Sequence, residues 1–296
     1  FKYWSREQTT GLPNQVSGDD GSYRYAEATN REIRSFLKDH SDAFVVANYM
    51  DVHPPLDASP DAIDHIDASL SRDELPVGIG GNEIYQRIQN GDTESGDLMY
   101  DLYRASVYEL DQKLAPLLQE LIESGTFVVV TADHGLWFRR DHELDEERIH
   151  VPLVLFSPDE EARRVETTVN LRQLPRTTTE VVLGDDCGFS GPSLFDVTED
   201  VVSITEYIHD SSKDGPVTVE TNGSSAFERD IAAVVNGARV DWIDGAIDER
   251  RGETENKERL REAIENVRSE GFERGNDDFT VDDTTENRLR DLGYID

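Results

Sequence analysis

The chain of 296 residues holds one cysteine, five lysines and no long apolar run. A single Cys cannot build an internal disulfide framework or a multi-Cys zinc site. The longest apolar stretches, Phe127 to Ala132 and Val151 to Phe156, fall well short of the roughly 18 to 20 residues of a membrane-spanning helix. No basic segment leads into an apolar one as in a secretory leader, so the expected location is the cytoplasm. Positive charge is scarce as well: 29 Lys+Arg stand against 63 Asp+Glu, a net charge of −34 at pH 7. Nucleic acid and anionic membrane both require a basic footprint, so neither is an expected partner.

What the chain has in abundance is carboxylate, and its few bases are mostly Arg. A surface rich in acid and poor in Lys resembles that of proteins adapted to high salt. At about 1 M salt the Debye length falls to about 3 Å, which screens carboxylate repulsion while solubility is kept. A disordered acidic chain would share this composition, but apolar strands and amphipathic helices interrupt the acid.

Thr29-Asn30 is placed to cap a helix over 29–40, with Ile33, Phe36 and Leu37 on one face. A buried strand is expected over 43–50, broken by Asp51-Val-His53-Pro-Pro. Residues 56–95 carry Asp, Ser, Gly and Pro and read as a surface excursion with few core positions. Leu98, Leu102, Ala105, Leu114, Leu117 and Leu121 recur at helical spacing over 96–124, and Gly125 ends the run. Strands follow over 127–132 and 151–157, then a helix over 170–183 weakened by Pro175. Beyond a turn-rich loop, strands are expected at 201–208, 229–235 and 238–243. Asn236-Gly237 between the last two is a type I′ hairpin signal. A solvated helix over 258–268 and a flexible arm over 271–283 complete the reading. The order of elements argues for an α/β fold with a parallel or mixed sheet flanked by helices over 1–195, and a smaller α+β subdomain over 196–296.

Chemistry concentrates at strand ends, where ligands of open α/β sheets bind. Thr131-Ala-Asp133-His134-Gly135 offers a hard oxygen beside a neutral imidazole nitrogen, a fitting pair for one divalent cation. On spacing alone, a turn whose Asp caps the next segment reads equally well. His53, stiffened by two prolines, is placed either to meet an anionic oxygen or leaving group or to cap the strand end. His142 lies among Arg139 and Arg140, a rare local excess of positive charge suited to an anionic substrate, or else a solvated loop. His150, just ahead of a strand, reads as structural, and His40, His65 and His209 as surface. Cys187 has no basic neighbour to lower its thiol pKa and is not read as a nucleophile.

Taken in order, these segments resemble the sulfatase family of the alkaline phosphatase superfamily. The run from Tyr103 to Asp111, the strand FVVVTADHG ending at Gly135, and His150-Val-Pro-Leu-Val-Leu-Phe-Ser-Pro158 are similar to the family's helix, its TxDHG strand and its RVPLIV strand. Leu174-Pro-Arg-Thr-Thr178, Gly188 to Leu194 and the ending Leu289 to Ile295 resemble its DLxPT helix, its GxSL loop and the tail of acidic archaeal members. The resemblance implies an alkaline-phosphatase-like fold and hydrolysis of a small-molecule or glycan sulfate ester. It implies one divalent metal, Ca or Mg ahead of Mn or Zn, on Asp133 and His134, with His53 and His142 contacting the substrate.

The sequence also departs from the family. No CxPxR or SxPxR motif, whose Cys or Ser becomes the formylglycine nucleophile, is present, and Leu136 replaces the Glu common after DHG. The expectation is that this chain is the later part of a longer hydrolase, with that nucleophile upstream. A phosphodiesterase or phosphonate monoester hydrolase of the same superfamily, and a non-catalytic sulfatase-like binding protein, are the alternatives. The acid excess itself yields a test: melting temperature should rise steeply between low salt and molar KCl, and a curve indifferent to salt would refute the high-salt reading.

Overall fold

The computed structural model describes residues 25–210 and 227–269, apart from 41, 42, 68, 71, 72, 74, 80–82, 84, 85, 89, 137, 139–143, 190, 199 and 244. Helices and antiparallel sheets alternate in a mixed α/β arrangement. Contacts divide the chain into two compact units, Phe1–Glu161 and Ala162–Asp296. That division falls ahead of the 195/196 partition read from the sequence.

The first unit is organised around one long helix. Helix α1 (Tyr25–Asp39) and α2 (Pro60–Ile66) both pack on α3 (Thr93–Glu123), and a 3-10 turn at Met50–Val52 does the same. Asp92 caps α3 by accepting from the Ser95 N–H at 3.0 Å. Met99, Leu102 and Ala105 recur every three residues on α3 and are buried with Leu56, Ile63 and Ile88. The 56–95 segment therefore supplies much of this core and is not the surface excursion its composition suggests. Leu56, Ala58, Ala62, Ile63, Leu75 and Ile88 of this segment are all in that core.

Helix α1 starts ahead of the expected cap. Asn30 lies inside it, buried, and its Nδ2 donates to the Lys113 carbonyl at 2.9 Å while its Oδ1 accepts from the Tyr49 hydroxyl at 2.7 Å. The residue read as a helix cap is a strut between helices. The strand expected over 43–50 forms no ladder with any described strand. Phe44 is 62% and Val46 77% exposed, so its apolar run is not the interior of a sheet.

Strand β1 (Val128–Thr131) pairs antiparallel with β2 (Leu153–Phe156), Val128 opposite Phe156 and Thr131 opposite Leu153. The parallel alternative is thus not seen for this pair, and both strands are only partly buried. The chain doubles back between them through α4 (Glu146–Ile149), whose Arg148 carbonyl accepts from the Gly135 N–H at 2.7 Å. A returning hairpin-like connection of this kind gives antiparallel pairing; parallel pairing needs a crossover along the sheet.

In the second unit a 3-10 turn at Leu171–Gln173 runs into α5 (Leu174–Leu183). Pro175 sits in the first turn, where its missing N–H costs nothing, so it starts the helix and does not weaken it. Gly184, at φ 69°, ends it. Strands β3 (Ser203–Asp210), β4 (Phe227–Val235), β5 (Ala238–Ile243) and β6 (Ala246–Arg251) form an antiparallel meander in sequence order. Asn236 and Gly237 both take positive φ, 44° and 72°, as a type I′ turn requires. Leu260 and Ile264 of α6 (Thr254–Ser269) pack on Ile231, Val235 and Val240 from β4 and β5. Strand β6 carries four charged residues among six and is exposed throughout, so no alternation announced it in the sequence.

Arg239 and Asp241 share the other face of β5 from the α6-facing Val240. Asp241 is fully buried and accepts from Arg239 Nε at 2.8 Å and from Arg250 Nε at 3.1 Å. Removing that carboxylate deprives the buried Arg239 guanidinium of its hydrogen bonds to Asp241. Asp241→Ala should cost about 3–5 kcal/mol in denaturant unfolding of the chain, and a loss under ~1 kcal/mol would show that the triad is solvated.

Candidate active site

Asp133 and His134 follow β1 on a turn that only glycine can complete. A Cβ on Gly135 would fall well inside contact distance of the Glu147 carbonyl oxygen, on the stretch that receives the Gly135 N–H. The close approach of the two backbones fixes where the turn points. Asp133 Oδ1 accepts from the His134 N–H at 2.9 Å. His134 Nδ1 lies 2.8 Å from the Gly135 carbonyl, an oxygen that can only accept, so Nδ1 carries the proton and Nε2 the lone pair. That Nε2 faces Asp133 Oδ2 at 3.8 Å.

The donor set fits a divalent cation. One carboxylate oxygen and one imidazole nitrogen 3.8 Å apart lie closer than twice a metal–ligand bond of about 2.1 Å, so one ion can touch both. The capped-turn reading accounts for Oδ1 but leaves the facing of Oδ2 and Nε2 unexplained. Among the described residues no group of three or more His, Cys, Asp or Glu is assembled to hold a metal.

His53 closes the 3-10 turn at Met50–Val52, its N–H donating to the Met50 carbonyl at 3.0 Å. Its Nδ1 is 2.7 Å from the Pro54 carbonyl, which again puts the ring proton on Nδ1. His142, with Arg139 and Arg140, lies outside the described residues. His150 follows α4, its backbone N–H donating to the Glu146 carbonyl at 2.9 Å. His65 is exposed, as read from the sequence, with its ring stacked on Tyr108 at 3.8 Å between centroids; His40 is half-buried with its ring on Phe36. Cys187 is exposed, at φ 52° in a turn held by the Asp185 and Asp186 carboxylates.

Beside His53 stands a group of charges that the sequence reading missed. Asp51 Oδ1 accepts from the Ala26 N–H at 3.2 Å and lies 3.9 Å from Lys113 Nζ, while its buried Oδ2 has no hydrogen-bond partner. Burial pushes the Asp51 carboxyl above its ordinary value, against the opposing pull of the Ala26 N–H and Lys113. Burial and the Asp51 charge push the Tyr49 hydroxyl up to about 12. The Glu109 carboxyl is likewise penalised by burial, but the Ser59 amide and Lys113 more than reverse this and hold it below its ordinary value. The available signal was Lys113 itself, one of only five lysines, four residues after Glu109 on a helix.

A family model described as Sulfatase matches residues 1–184, a span that includes His53, Asp133 and His134. The chain belongs to the sulfatase family, of the alkaline phosphatase superfamily, and at family level it is a sulfatase-like hydrolase. No curated protein matches it.

Because folding raises the Asp51 pKa, its contribution to stability is fully present below the unfolded-state value near 4 and is lost as pH rises through the folded value. Asp51→Asn removes this dependence. The melting temperature of wild type should therefore fall relative to the variant as pH climbs from about 4 toward neutrality; a difference independent of pH would contradict the assigned desolvation.

Proposed function

We propose that the protein is a metal-dependent sulfate ester hydrolase in which Asp133 and His134 hold a single divalent cation. The observation that carries this is the facing of Asp133 Oδ2 and His134 Nε2 across 3.8 Å on a turn pinned by Gly135. Ca or Mg suits the carboxylate, with Mn or Zn as the softer choices. When bound, the cation polarises the ester and stabilises developing negative charge.

The chain's own residues supply the rest. His53, its ring proton on Nδ1, directs Nε2 toward an anionic ester oxygen or the leaving alcohol, where a protonated ring donates. His142 serves the same anionic substrate. From Leu110 to Glu123 the helix α3 rises about 20 Å, and from Thr126 to Ala132 the returning strand covers about the same distance. Since β1 packs on α3, this supports Asp133 lying level with the middle of that helix, where Glu109, Leu110 and Lys113 face the His53 turn. No residue of this chain is assigned as nucleophile.

Calorimetric titration of the chain with Ca, Mg, Mn and Zn tests the reading. Wild type should take up one equivalent, and Asp133→Ala should lose about 100-fold or more in affinity, with aryl sulfate turnover falling in step. Unchanged uptake and turnover in Asp133→Ala would end the assignment. Two equivalents together with phosphate diester turnover would mark the phosphodiesterase of the same superfamily instead.

A further inference from the structure

The loop that carries His53 is tied to α3 at both ends through one turn of helix. At its start, Asp51 lies 3.9 Å from Lys113 Nζ. At its far end, the Ser59 N–H donates to Glu109 Oε2 at 2.8 Å. Lys113 and Glu109 are themselves paired at 3.0 Å, so the two ties are one ionic unit. Asp51 and Pro55, two residues to either side of His53, line a cavity of about 20 Å³ whose opposite wall includes Ser106, Glu109 and Lys113. That volume has room for about one water. Leu56 and Ala58, fully buried, set the depth of the loop in the core. Their side chains are apolar and non-directional; the Leu56 carbonyl accepts from the Gly78 N–H at 2.9 Å, and the charged groups supply the directional ties to α3.

We infer that the Glu109–Lys113 pair is a clamp that orients the His53 imidazole, making Lys113 and Glu109 positioning residues for the reaction; this rests on the hydrolase reading for its catalytic consequence, though not for its geometry. With Lys113 gone, Asp51 keeps a buried charge with no cation beside it, and the turn must shift to hydrate it. The His53 ring then leaves the Pro54 carbonyl, and its proton is shared between both nitrogens.

Long-range proton–nitrogen spectra of the imidazoles in the full chain read this directly, with His53 assigned by its absence in His53→Gln. Wild type should show the Nδ1–H tautomer, Lys113→Met a mixture of tautomers, and Lys113→Arg the wild-type pattern. Aryl sulfate kcat should fall about tenfold or more in Lys113→Met with KM within about threefold, and recover in Lys113→Arg. Unshifted His53 resonances in a folded Lys113→Met chain would overturn the clamp whatever the turnover. If that variant does not fold, Glu109→Gln decides on the same readout, since it keeps an acceptor for the Ser59 N–H and drops only the charge. A wild-type chain that takes up no divalent cation sinks the hydrolase reading, while the ring spectra still decide the clamp.

Discussion

Helix α3 is the constraint on which the first unit depends. Its apolar stripe through Met99, Leu102 and Ala105 gathers residues from segments far apart in sequence. Its polar flank then orients what the stripe has gathered. Asn30 of α1 donates to the Lys113 carbonyl, Arg34 pairs with Glu120, and the His53 loop is tied to Glu109 and Lys113. On its N-terminal half, Tyr100 and Tyr103 pack around Phe138, and Gly96 lets the Phe138 carbonyl come close. Exposed pairs such as Arg34–Glu120 are screened by solvent and contribute little. Burial of the stripe is the larger stabilising quantity, and the ion pairs matter more for direction than for energy.

The two histidines assigned to the site share one local device. His53 and His134 each place Nδ1 on the carbonyl of the next residue, Pro54 and Gly135. A metal-binding or substrate-binding imidazole commonly has its second nitrogen fixed by a carboxylate, which raises the basicity of the ring. In both rings here a neutral backbone carbonyl fixes that nitrogen instead.

Much of the helical structure and the second unit's sheet was legible in the sequence because local rules determine it. The leucine spacing of α3, the Gly125 stop, the β-branched run of β1 and the Asn-Gly hairpin each carry their own signal. What the sequence hid depends on tertiary context. Asn30 looks like a cap and is a strut, because a side chain amide satisfies either role equally well. Phe44 to Val46 look like core because composition does not say whether a neighbouring strand is there to cover them. The site divides in the same way. Asp133, His134 and His53 stand out by their neighbours in sequence, whereas Asp51, Glu109 and Lys113 acquire meaning only when α3 lies against the turn.

The cluster of Asp241 with Arg239 and Arg250 has a bearing on how this acidic chain responds to its medium. Carboxylates on the surface feel mobile ions directly, and their mutual repulsion fades as the Debye length shortens. Asp241, with no exposed surface, is out of reach of those ions. Its bond to Arg239 is shut away within β5, whereas the Arg250 guanidinium that ties it to β6 is 45% exposed, so ionic strength reaches the cross-strand half of the cluster and not the buried half.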